Sequence, residues 1–160
     1  MANILKSGNL MIDAGFEDKL DEIGKRIMRG LRTIEREDPR VEMRPTKVGY
    51  HLCVKIGEGK DDFAPFVQIW APPLDRLETR FHYVDRKVYL SEDIKRKIQS
   101  LLEDAHFSYA KSKYGNMRLI FEKVPNSCTE NDINKMMSNL RAAITLIASC
   151  PRRSPDESQY

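Results

Sequence analysis

The 160 residues are 41% hydrophobic and 32% charged, with 27 basic against 24 acidic side chains and a net charge of +3. That composition excludes a disordered chain and fits one globular domain with a sizeable core. No apolar run approaches the about 20 residues of a membrane helix, and the slight basic excess lacks the concentrated stripe typical of nucleic-acid binders.

The opening residues "MANILKSGNLMIDAG" show no basic region followed by an apolar stretch and a small-residue cleavage site, so no signal peptide is expected. Phe16, Leu20, Ile23, Ile27, Leu31 and Ile34 then recur at steps of three and four. That spacing puts them on one helical face and predicts a helix over 15–37, stopped by Pro39. Next the period changes to two. Tyr50, Leu52, Val54 and Ile56 alternate with His51, Cys53 and Lys55, the pattern of a strand. The segment "GEGKDD" supplies a turn, and Phe66 to Trp70 returns as a second strand that Pro72 and Pro73 end. Shorter strands are expected at Val41 to Arg44 and at Arg80 to Val84.

Ser91 caps a second helix whose first turn holds Glu92 and Asp93 and whose stripe is Ile94, Ile98, Leu101 and Leu102. In "HFSYAKSKYGNMRLIFEKV", Phe107 and Tyr109 alternate with Ser108 and Ala110 on one side of a Tyr-Gly-Asn turn. Met117, Leu119 and Phe121 alternate with polar partners on the other side, so a hairpin is expected whose rings pack across strands instead of stacking on bases. Thr129 and Asp132 resemble a capping box opening a third helix with Ile133, Met136, Met137, Leu140, Ile144 and Ile147 on one face. Residues 1–150 therefore read as a single α+β domain, an antiparallel sheet with order α-β-β-β-(β)-α-β-β-α. Residues 151–160, "PRRSPDESQY" with the preceding cysteine aside, read as a disordered tail.

Little chemistry stands out. "KIGEGK" lacks the spacing of a phosphate loop, and Asp61 stands where a magnesium-binding hydroxyl belongs. His51 and Cys53 share a strand face and could form a thiol–imidazole nucleophile, but a small buried thiol is the favoured reading. No His or Cys pair shows zinc-ligand spacing, so neither metal nor cofactor is expected. The acid pairs Asp61–Asp62 and Glu103–Asp104 read as solvated charge. Cys53, Cys128 and Cys150 are too few and too scattered for a disulfide framework and fit a cytoplasmic protein. Met136, Met137 and Met117 can make an adaptable groove, although methionine also serves as core.

From the long first helix through the hairpin to the capped helix "TENDINKMMSNLRAAITLIAS", the order of elements resembles the type III secretion chaperone-like fold. That fold also includes the YbjN-type sensory-transduction regulators. The resemblance spans about residues 15–149 and implies a two-layer sandwich, a non-enzymatic protein that often dimerises, and a polypeptide partner held on its surface. Secretion chaperones tend to be acidic, and this chain departs from that. It carries over no functional residue. The leading expectation is a homodimeric, chaperone- or adaptor-like module that holds a protein or peptide on its sheet or in a helix-lined groove. Phe66, Trp70, Phe81 and Tyr83 are the candidate contacts. The alternative is a nucleic-acid-binding or regulatory protein that uses Lys95, Arg96, Lys97, Lys111, Lys113 and Arg118, provided these converge on one face.

Overall fold

The computed structural model describes residues 20–47, 49–70, 76–79, 81–111, 117–122 and 128–153. Helix α1 covers Glu22–Glu37. Its first turn is held by Asp21, which has an extended backbone and whose carboxylate accepts the Gly24 N–H at 2.8 Å. The helix therefore starts later than the apolar spacing suggests: the aspartate intercepts the first orphan amides and leaves buried Leu20 outside the helix. Residues before position 20 lie outside the described part.

Four strands follow, β1 (Val41–Thr46), β2 (Gly49–Lys55), β3 (Phe63–Trp70) and β4 (Arg76–Thr79). Helix α2 (Phe81–Lys87) and helix α3 (Glu92–Asp104) come next, then β5 (Ser108–Lys111), β6 (Met117–Glu122) and helix α4 (Glu130–Ala148). The six strands form one sheet in the order β1-β2-β3-β4-β6-β5, with every neighbouring pair antiparallel. The fold is α+β, as the alternation of periods indicates.

Two local expectations need correction. The strand expected at Arg80 to Val84 is instead α2, and the fourth strand lies just before it, at Arg76–Thr79. Phe81, Val84 and Val88 satisfy a helical step as well as the short alternation does, and all three are buried. Burial decided between them: the Phe81 ring meets Phe66 edge-on, with centroids 6.1 Å apart. The tail is also partly anchored. The Tyr89 amide donates to the Pro151 carbonyl and the Arg153 amide to the Lys87 carbonyl, each at 2.8 Å. The Arg152 guanidinium binds the Asp62 carboxylate, and Arg153 lies over the Tyr89 ring at 4.1 Å. Ion pairs and backbone bonds thus hold residues 151–153 where composition offered no apolar anchor.

Helix α4 organises the helical layer. The Arg141 guanidinium holds Glu37 at 2.7 Å, and Arg40 reaches Thr145 at 3.2 Å, so α1 and α4 run parallel. On the other flank Lys135 pairs with Asp104 at 3.1 Å, and the Asn139 amide donates to the Leu101 carbonyl at 2.7 Å. Helix α3 is therefore antiparallel to α4. The inner face of α4 buries Ile133, Met136, Leu140, Ala143, Ile144 and Ile147 in one core with Leu52, Val54, Val67 and Leu119 of the sheet. The hairpin register places Tyr109 opposite Leu119 and Lys111 opposite Met117, as the alternation anticipates. Phe107 and Leu119 are both core. Gly49 enters β2 at φ 151°, and a β-carbon there would come within 1.9 Å of the Ile69 carbonyl oxygen, so only glycine fits.

The β1 edge is chemically sealed. The Lys55 amide donates to the Arg40 carbonyl at 2.6 Å, which makes Arg40–Lys55 a hydrogen-bonded pair. Alternation then turns the amides of Val41 and Met43 outward, with position 45. Val41 donates to the Asp38 carbonyl at 3.1 Å and Met43 to the Glu35 carboxylate at 2.7 Å. Pro45 has no N–H to offer. Another strand cannot extend the sheet there. Replacing Glu35 by Ala should lower stability to urea by about 1–2 kcal/mol, because the Met43 donor loses its acceptor. Glu35→Gln should recover most of that loss, and equal stability of all three proteins would show that this bond contributes nothing.

Candidate functional site

The four aromatic candidates separate into two pairs. Phe66 and Phe81 are 0% and 2% exposed and pack on each other, so they are core and cannot contact a partner. Phe66 occupies the extra position of a bulge in β3, since Cys53 pairs with Pro65 while Leu52 pairs with Val67. Trp70 and Tyr83 are half-buried. The Tyr83 ring lies 6.3 Å from His51, with the Arg86 guanidinium over it at 5.8 Å. Nor does the outer face of the sheet offer an open platform. Cys53, Gln68 and Glu78 at its centre are all buried.

His51 and Cys53 do not form a nucleophile. The thiol leans toward the backbone carbonyl of His51, with sulfur 3.8 Å from the oxygen. Burial pushes the Cys53 thiol up to about 12. Asp62 and Asp104 are each engaged by neighbouring groups. Asp62 accepts the Gly59 amide and binds Arg152, and Asp104 binds Lys135; these contacts hold both carboxyls below the usual carboxylate range. Among the described residues no group of three His, Cys, Asp or Glu side chains could hold a metal ion.

The basic residues of α3 are interleaved with acids. Lys95 lies 3.8 Å from Asp85 and 3.6 Å from Glu92, and Lys97 is 3.3 Å from Asp93. Arg96 stands on the rim of a groove between α3 and α4 of about 650 Å³, above Leu101 and Leu146. In the hairpin only register positions are described: Arg118 is opposite Ala110 and Lys111 opposite Met117, while Lys113 lies outside the described residues. The described part of this set does not build a cationic surface.

A different site emerges between the parallel helices α1 and α4. Gly30 allows the close approach: a β-carbon on it would lie 2.8 Å from the Met137 sulfur. Beside this contact lies a groove of about 500 Å³ whose floor is Gly30, Ile133 and Met137. Arg26, Arg29 and Thr33 rise from α1, Asn134 and Arg141 from α4, and Glu22 and Glu130 close the end where both helices begin. Arg26 is only loosely engaged, 3.7 Å from Glu22. Arg29 is exposed and has no acidic partner among the described residues. Met136 and Met137 both belong to the buried core, and Met137 also lines the groove. The arginines of α1 read as a solvated face because nothing in their spacing shows that α4 runs beside them.

Comparison of the chain with protein-family models, with curated proteins and with solved structures finds no match. The buried thiol provides a direct check on the chemistry. In the native protein at pH 8, a maleimide should leave Cys53 unmodified and should react with it once urea unfolds the chain. Rapid native labelling of Cys53 would reveal an activated thiol and restore the nucleophile.

Proposed function

We propose that the chain is a non-enzymatic binding module, chaperone- or adaptor-like, that holds another polypeptide in the groove between α1 and α4. The observation that carries this reading is the groove's construction. A floor of Gly30, Ile133 and Met137 is rimmed by Arg26, Arg29 and Arg141. Such a surface buries apolar anchors at its centre and aligns charge at its edge, which is how partner helices are commonly recognised. The element order that resembles secretion-chaperone-like proteins agrees with the reading. The buried Cys53 thiol, pushed up by desolvation, supports a non-enzymatic reading.

The proposal includes a homodimer in the cytoplasm. The three cysteines are free, and no described helix is long and apolar enough to cross a membrane. The sealed β1 edge means that two copies would meet through another surface. Nucleic acid is the weaker alternative. Lys95 and Lys97 already face carboxylates, and counterions that are internal acids gain little by exchanging for phosphate.

Native mass spectrometry of protein gently purified from its own host tests the proposal. A stoichiometric polypeptide that survives moderate salt is expected, and Asn134→Trp, which fills the groove from its exposed rim, should abolish its retention. The same spectrum reports whether one copy or two are present. Retention unaffected by Asn134→Trp would remove the groove from the reading, and bound oligonucleotide lost with rising salt would put nucleic acid in its place.

A further inference from the structure

Charge in the α1–α4 groove is ordered, and the order specifies a partner. At the end where both helices begin stand two carboxylates, Glu22 and Glu130. Further along come Arg26 and Arg29 on one wall and Arg141 on the other, with exposed Arg36 beyond them on α1. These cations differ in how far they are already satisfied. Glu37 holds Arg141 at 2.7 Å, whereas Glu22 reaches Arg26 only at 3.7 Å with both side chains well exposed. The Arg36 guanidinium donates to the Thr33 hydroxyl at 3.3 Å. Exposed Arg29, next to Gly30 in the chain, meets no acid among the described residues.

Resting on the binding-module reading, we propose that the occupant is an acidic amphipathic helix. Its apolar ridge would lie on Ile133 and Met137, with carboxylates against Arg26 and Arg29 and a basic residue near Glu22 and Glu130. A groove between two parallel helices accepts a third helix by ridge-into-groove packing, with Gly30, Ile133 and Met137 at its floor. A polyanion fits this charge order poorly. Glu22 and Glu130 would repel phosphates at one end, and the apolar floor offers nothing to a ribose–phosphate chain. The charges select the partner, while the floor adds the apolar edge that Ile133 and Met137 leave exposed.

The test uses three probes on isotope-labelled full-length protein, read by backbone amide shifts. The first is a helical peptide of about four turns with a leucine ridge flanked by glutamates. The second is its twin with lysine for every glutamate, and the third is an oligothymidylate. The glutamate peptide is expected to shift the amides of Gly30, Thr33, Asn134 and Met137 and to bind about tenfold tighter than the lysine twin. The exposed double variant Arg26→Glu with Arg29→Glu should reverse that preference while leaving the other amides unmoved. Equal binding of both peptides in the groove would overturn the acidic partner and leave the groove as a docking site. If neither peptide moves these amides up to its solubility limit, the acidic partner and the groove both fall. Preferential perturbation of the groove by the oligothymidylate would replace the peptide with a nucleic acid.

Discussion

The contact between Gly30 and Met137 sets the spacing on which the helical layer depends. A glycine inside a helix costs about 1 kcal/mol relative to alanine, so its presence at the centre of α1 requires an offsetting gain. The gain is the approach of α4, whose methionine occupies the volume that a β-carbon would need. That approach brings Glu37 to Arg141 and Arg40 to Thr145, which fixes the two helices as parallel. Parallel packing in turn places both helix N-termini at one end. Glu22 and Glu130 are then favourably placed beside the positive ends of two dipoles, and they also set the charge order of the groove.

The sheet beneath is closed to strand addition along β1. A free edge strand presents alternate amides to any extended chain, and proteins block that route by design. Here a carbonyl, a carboxylate and a proline dispose of the three outward positions, and the carboxylate comes from α1. One helix therefore both seals the edge and forms a wall of the groove. The opposite turn of the sheet is secured from a different direction. Arg152, beyond the end of α4, binds Asp62 between β2 and β3, so the last described residues tie the helical layer to the sheet.

Much of this was legible in the sequence wherever one periodicity ran long enough. Ile27, Leu31 and Ile34 marked α1, Tyr50 to Val54 marked β2, and Thr129 with Asp132 marked the start of α4, where both bonds of a capping box form. The hairpin register followed from alternation alone. Failures came where local pattern was short or the deciding partner was distant. Phe81 and Tyr83 alternate as a strand would, yet Phe81, Val84 and Val88 also step as a helix, and only burial against Phe66 separates the two. The segment Arg76–Thr79 has no alternating apolar pattern and becomes a strand by pairing with β3 and β6. Large aromatics were taken as contact residues because of their size. Size also makes a ring the strongest candidate for the core, and two of the four are there.

The same limit explains why the groove could not be read from the chain. Arg26 and Arg29 lie on the polar side of α1, where charge ordinarily means solvent, and Arg141 lies more than a hundred residues away. What distinguishes a recognition surface from a solvated one is whether its charges are already answered. On α3 this holds for Lys95 and Lys97, which sit within ion-pair distance of acids on the same helix or its neighbour, and not for the exposed Arg96. On α1 the pairing weakens toward the middle of the groove, where exposed Arg29 follows Arg26 along the wall. An exposed cation beside apolar surface gains little from water that a carboxylate on an apolar helix would not supply better, because burial of the ridge lowers the local dielectric and strengthens the pair. Charge and apolar surface thus meet where Gly30 lets α4 approach α1.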